Sequence, residues 1–238
     1  MSARYLNPIK WLGGIALIAV VFGIIFPAIR DAIQNERLRS GVLLQAMPFF
    51  AFFVAVLMTF ILLIVLAARR YGGVVPRRTY NGIEWTLIAG IVFGVIFLFQ
   101  PFSFVPYRYG FLLLLVSLLS FILWSHVPLR GAKTERRIAP FAASHQIVGL
   151  VVAAIAAAII AALILTAAAP QPPYGVRDRV WNSYDDARKA ETAAAAAVEF
   201  NNAEVPFVIV LSLFPAALFF FISREIAASR SVQPQPKS

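Results

Sequence analysis

Two histidines are the residues whose type and spacing come nearest to a reactive site. His126 closes one apolar run, in Trp124-Ser-His-Val-Pro128, and His145 opens the next, in Ala143-Ser-His-Gln146. On consecutive antiparallel helices both rings would reach the same membrane boundary. Two neutral imidazoles on facing helices are the ligand set of a b-type haem, and a single one can hydrogen-bond a quinone carbonyl. The plainer reading is that each ring caps a helix end or lies among lipid headgroups. No carboxylate accompanies them at metal-ligand spacing, so a zinc or di-iron site is not expected. Ser125 and Ser144 precede the histidines directly, but neighbours on a helix point in different directions and cannot make a nucleophile–base contact.

The second cluster is aromatic. Phe99-Gln-Pro-Phe-Ser-Phe-Val-Pro-Tyr-Arg-Tyr109 links two apolar runs and offers Phe102, Phe104, Tyr107, Arg108 and Tyr109. One reading is an interfacial aromatic belt around a tight turn fixed by Pro101 and Pro106. The functional reading is a lip that contacts a quinone ring, a lipid or a partner subunit. Beyond these two clusters no catalytic, nucleotide-binding or metal-binding motif stands out, and the expectation is a protein that is not an enzyme and has no resident cofactor.

The elements that position these residues follow from composition. The chain has 238 residues, 61% of them hydrophobic and 13% charged, with mean hydropathy +0.80. A soluble domain carries about a quarter charged residues. The deficit here is concentrated in long apolar runs, which marks membrane spans rather than one large core. Spans are expected near 11–29, 47–68, 84–101, 109–127, 147–168 and 206–223. The fold class is therefore an all-α, polytopic membrane helix bundle of about six helices. A single bundle over residues 1–230 and a flexible tail at 231–238 are expected. The first run ends in Pro27 and Arg30 without a small-residue cleavage pattern, so it reads as a retained span and not a cleaved signal.

Charge sets the orientation. The formal charge is +10, yet the basic residues form short clusters between apolar runs and no continuous basic face, so nucleic acid is excluded as a partner. With the N-terminus inside, thirteen of the 21 Lys and Arg fall on cytoplasmic segments, including the pairs Arg69-Arg70 and Arg77-Arg78. That bias predicts both termini on the cytoplasmic side of a cell (inner) membrane. The outer loop 170–205 opens with Pro170-Gln-Pro-Pro173, and a short helix is expected in it, capped by Ser183, with Asp185 four residues before Lys189 and a stop at Asn201-Asn202.

The spans themselves lack central charges. Ion- and proton-coupled carriers place ionisable groups near the bilayer centre. Here the closest approach is Glu84, read as part of the first turn of the third span, where a carboxylate suits the helix dipole. Gly90 and Gly94 form a G-x-x-x-G, and the fifth span is rich in Ala, which favours close helix approach. The absence of cysteine excludes disulfides, thiolate metal sites and covalent c-type haem. The expected function is an accessory, non-catalytic subunit of a larger membrane assembly, an electron-transfer or other energy-converting complex. Its partners would then be other integral-membrane subunits and lipids. The alternatives are a permease or binding component for a neutral or hydrophobic solute, and a haem b or quinone subunit using His126 and His145.

Overall fold

The computed structural model describes residues 6–129 and 140–231. The expected tail beyond Ser231 lies outside the described residues, as do Arg4, Arg130, Lys133, Glu135, Arg136, Arg137 and Lys237. Six long helices are apolar enough to cross a membrane: α1 (Leu6–Asp31), α3 (Val42–Tyr71), α4 (Arg77–Phe99), α5 (Phe104–Ser125), α6 (Ala143–Ala168) and α9 (Val205–Ser231). Among the described residues three short helices lie between them, α2 (Glu36–Arg39), α7 (Asp178–Trp181) and α8 (Asp186–Glu199). The protein is an all-α, multi-pass membrane protein of the kind the apolar runs predict.

Its surface identifies its solvent. Only 11–22% of the most apolar stretch of each long helix is buried within the protein. Ile18 is 70% exposed and Phe99 82%. Apolar surface on that scale is not tolerated in water, whereas a helix satisfies all its backbone groups internally and can face lipid.

The chain divides into two compact units, Met1–Val75 with Ile122–Arg130, and Pro76–Phe121 with Gly131–Ser238. In the first, α1 packs on α3. Their contact is built from small residues: Ala16, Ala51 and Ala55 are buried, and Gly23 receives the ring of Phe52. Within the same unit Gly73, at φ +72°, donates its backbone N–H to the Pro128 carbonyl at 2.9 Å. That left-handed conformation is open to glycine and costly for a residue with a side chain.

The second unit is held by α9. It packs along α6, where Ala161 meets Val208, which is fully buried, and Gly149 receives Phe220. It also packs on α4, where Gly82 faces Phe221 and Gly90 faces Phe214. The pair α4–α5 closes backbone to backbone. A methyl built on Gly94 would sit 2.8 Å from Leu114 Cα, and one on Gly110 would sit 2.7 Å from Phe97 Cβ. Lipid gives no hydrophobic drive to helix association, so close van der Waals contact of this kind has to supply the packing energy. The G-x-x-x-G thus serves two partners, Gly90 admitting α9 together with Ser117 of α5, and Gly94 admitting α5.

Three local features differ from the sequence expectation. First, α4 starts at Arg77, so Glu84 lies two turns into the helix and not at its N-terminal dipole. Second, α8 is capped by Asp185, whose side chain accepts from the Arg188 N–H at 2.9 Å; Ser183 instead donates to the Val180 carbonyl. An Asp185→Ala change is therefore expected to weaken α8 by about 1 kcal/mol. Hydrogen exchange at the Arg188 amide would then accelerate roughly fivefold, while Ser183→Ala leaves it unchanged. Third, Asn201-Asn202 does not stop the helix. The chain passes through a π turn, Phe200–Glu204, and continues directly into α9. The apolar run from Val205 onward carries the helix through, and the Asn pair is absorbed in the wider turn.

Candidate functional site

Two buried polar groups, Glu204 and Tyr109, and the half-exposed Arg108 converge where the π turn meets α5. Glu204 is 9% exposed. Its Oε1 accepts from the Tyr109 hydroxyl at 2.5 Å and lies 3.1 Å from Arg108 Nη2. The Arg108 guanidinium also donates to the Tyr109 oxygen at 3.2 Å. Charge-assisted bonds of this kind are about twice as strong as neutral ones, and the carboxylate is where it is because the π turn holds it there. Tyr109 in turn stacks on Phe207 at 5.9 Å, and Phe207 meets Phe97 edge-on at 5.2 Å.

Below this cluster runs a cleft of about 490 Å³. Its walls are α5 and α6, and its floor is α9 with Leu87 of α4. It extends along α5 from Arg108 to Ser120, about 18 Å at the helical rise. The lining is mostly aliphatic, including Leu112, Leu113 and Val116 on α5 and Ile160, Leu163 and Ile164 on α6. Ser117, Ser120, Ser212 and the ring of Phe214 interrupt it, and two features of the lining stand out. Ser117 is 1% exposed, and its Oγ, packed against Gly90, has no hydrogen-bond partner among the described residues. Pro215 has no N–H, so the Leu211 carbonyl on the floor loses its helical donor.

The aromatic link resolves into two parts. Gln100 folds it: its Oε1 accepts from the Phe102 and Ser103 N–H groups at 2.8 and 3.0 Å, and its amide donates to the Ser103 carbonyl. Ser103 then caps α5 through the Val105 N–H at 3.3 Å. Phe102, Phe104 and Tyr107 stand exposed, at 91%, 73% and 50%. Arg108 and Tyr109 turn inward to Glu204. The five residues therefore divide into three exposed rings and two groups that bond Glu204.

The histidines are placed at helix ends. His126 Nδ1 lies 2.7 Å from the Ile122 carbonyl, so it donates there and its Nε2 carries the lone pair. His145 Nδ1 accepts from the Ala142 N–H at 3.2 Å, so its neutral ring carries the proton on Nε2. The two histidines also belong to different units, His126 to the first and His145 to the second.

A second polar cluster lies at the other end of α9. Arg78 grips Glu225 with two bonds of 3.2 Å, and Thr79 donates to the same carboxylate at 2.6 Å. Neither this cluster nor Glu204 was expected from the sequence, because both carboxylates lie at the edges of apolar runs where charge is ordinary.

Fold and site together define a multi-pass α-helical membrane protein with a lateral apolar cleft closed by a charged cap. Compared with known proteins, the chain matches no family model, no curated protein and no solved structure.

Proposed function

We propose that this protein is a non-catalytic membrane component that binds a long-chain amphiphile in the cleft between α5 and α6. The observation that carries the proposal is the cleft itself: about 18 Å of aliphatic wall ending on Arg108, Tyr109 and Glu204. Pockets that orient a ligand combine predominantly apolar walls with a few placed polar groups, and this cleft has that division. An apolar tail would lie along Leu112, Val116 and Ile164. An uncharged hydrogen-bonding head, such as a carbonyl or hydroxyl, would meet the cap, where arginine and glutamate already neutralise one another. This is the hydrophobic-solute reading of the sequence, and a quinone is one member of the class.

The test is extraction and mass spectrometry of the protein purified in mild detergent. A long-chain amphiphile is expected to co-purify at near one per chain. Leu112→Trp, which fills the cleft, is expected to reduce it at least tenfold with helicity unchanged. No co-purifying amphiphile, or equal retention by the variant, overturns the proposal.

A second reading, an accessory subunit of a larger membrane assembly such as an electron-transfer complex, is supported by a different observation. Ala154, Ala158 and Ala162 form an exposed stripe on α6, the small-residue pattern that lets another helix approach. It predicts integral-membrane partners in a mild-detergent pull-down. The proposed location is a cell membrane with both termini cytoplasmic, supported by the Lys and Arg bias.

A further inference from the structure

We infer that Arg224, with Phe141 and Gln146, forms a binding site for the phosphate of an anionic phospholipid. The site is independent of the cleft and stands on its height, its charge balance and its unmet hydrogen bonds.

Height comes first. Arg224 follows Glu204 by twenty residues on one continuous helix, which places them about 30 Å apart, the thickness of a bilayer's hydrocarbon core. No charged residue lies between them. With Glu204 at one boundary, Arg224 is at the other, at the level of lipid phosphates.

The surroundings of Arg224 are aromatic. Its guanidinium carbon lies 4.0 Å from the centre of the Phe141 ring, 4.9 Å from Phe220 and 5.2 Å from Phe221. Arg78 also sits on the Phe141 ring, at 3.7 Å from its centre. Gly149 permits this arrangement, since a methyl there would stand 3.2 Å from Arg224 Cβ.

The hydrogen bonds leave Arg224 without a directly bonded anion among the described residues. Glu225 is engaged by Arg78 and Thr79. Among the described residues Arg224 makes no salt bridge, one long hydrogen bond from Nη1 to Gln146 Oε1 at 3.4 Å, and no bond from its buried Nε. A partly desolvated guanidinium with unmet donors is costly unless an anion joins it, and phosphate oxygens match its fork. The sequence adds to the attraction: residues 130–139, leading into Phe141, hold Arg130, Lys133, Arg136 and Arg137 against the single Glu135. Basic segments of that kind draw anionic lipid to a membrane surface.

The full chain in phosphatidylcholine nanodiscs, titrated with phosphatidylglycerol and read by native mass spectrometry and by Tm, tests the inference. The wild type is expected to retain phosphatidylglycerol in preference to phosphatidylcholine and to gain Tm. Arg224→Gln is expected to weaken retention about tenfold, and Arg224→Lys to recover only part of it, because a lysine lacks the fork. Arg70→Gln, an exposed arginine elsewhere, should change nothing. Equal losses in Arg224→Gln and Arg70→Gln would reduce the effect to overall basicity and overturn the site. Inorganic phosphate that displaces phosphatidylglycerol at millimolar concentration would overturn the lipid assignment in favour of a soluble anion. If Arg224→Gln does not fold, Arg224→Lys and the wild-type lipid preference decide; full retention in the lysine variant or no preference overturns the inference.

Discussion

Gly94→Ala is expected to destabilise the second unit by about 3 kcal/mol, the upper range for overpacking, because the new methyl would meet backbone. It would lie 2.8 Å from Leu114 Cα, N and Cβ, and none of these atoms can rotate away. The α4–α5 pair would have to separate, and the contact of Gly110 with Phe97 would open with it. Gly90→Ala is expected to cost less, about 1 kcal/mol, because its methyl meets the Phe214 ring and the Ser117 hydroxyl, both of which can shift. Gly14→Ala has nothing within 4 Å and is expected to be neutral or slightly stabilising, as alanine is the better helix former. Denaturant titration of the three variants in one detergent checks the order. Equal behaviour of Gly94→Ala and Gly14→Ala would refute the close crossing of α4 and α5.

Glu204→Ala is expected to have the next largest effect, a loss of about 2 kcal/mol, together with loss of the bound amphiphile. The change strands a buried Tyr109 hydroxyl and removes the counter-charge of Arg108. Breaking a fully buried ion pair costs about 3–5 kcal/mol, but the Arg108 side chain is 47% exposed and can turn to the headgroups, so the smaller figure applies. Tyr109→Phe removes a single bond and is expected to cost about 1 kcal/mol. In a cycle with Arg108→Ala, the loss from Glu204→Ala should shrink by at least 0.5 kcal/mol, the threshold for residues in one network. Strict additivity between Arg108 and Glu204 would show that the three groups do not act together.

The spans were legible in the sequence because a bilayer imposes one requirement, about twenty apolar residues without charge, that composition reports directly. Gly90 and Gly94 were legible as a close-approach motif, though not the fact that Gly90 admits α9 as well as α5. The cap of the cleft was not legible. Glu204 closes a polar loop in the sequence, and only the π turn turns it inward toward Tyr109, 95 positions away. Arg108 and Tyr109 were noticed, but as part of an aromatic lip; nothing local says that Tyr109 is buried and that both bond Glu204. Asn201-Asn202 misled for a related reason. Propensity favours a stop there, and the apolar run that follows overrides it.

The π turn has a further consequence. One surplus residue in a helix advances everything beyond it by about 100° around the axis. The rod from Asp186 to Ser231 is therefore out of phase with itself: the stripe that α9 presents to α4 and α6 does not continue as a stripe on α8. Two faces on one helix are thus uncoupled, one answering to the bundle and the other to whatever lies at the water boundary. Removing a single residue from Phe200–Glu204 would bring them back into step, and Glu204 could then no longer face Arg108 while α8 kept its outward side.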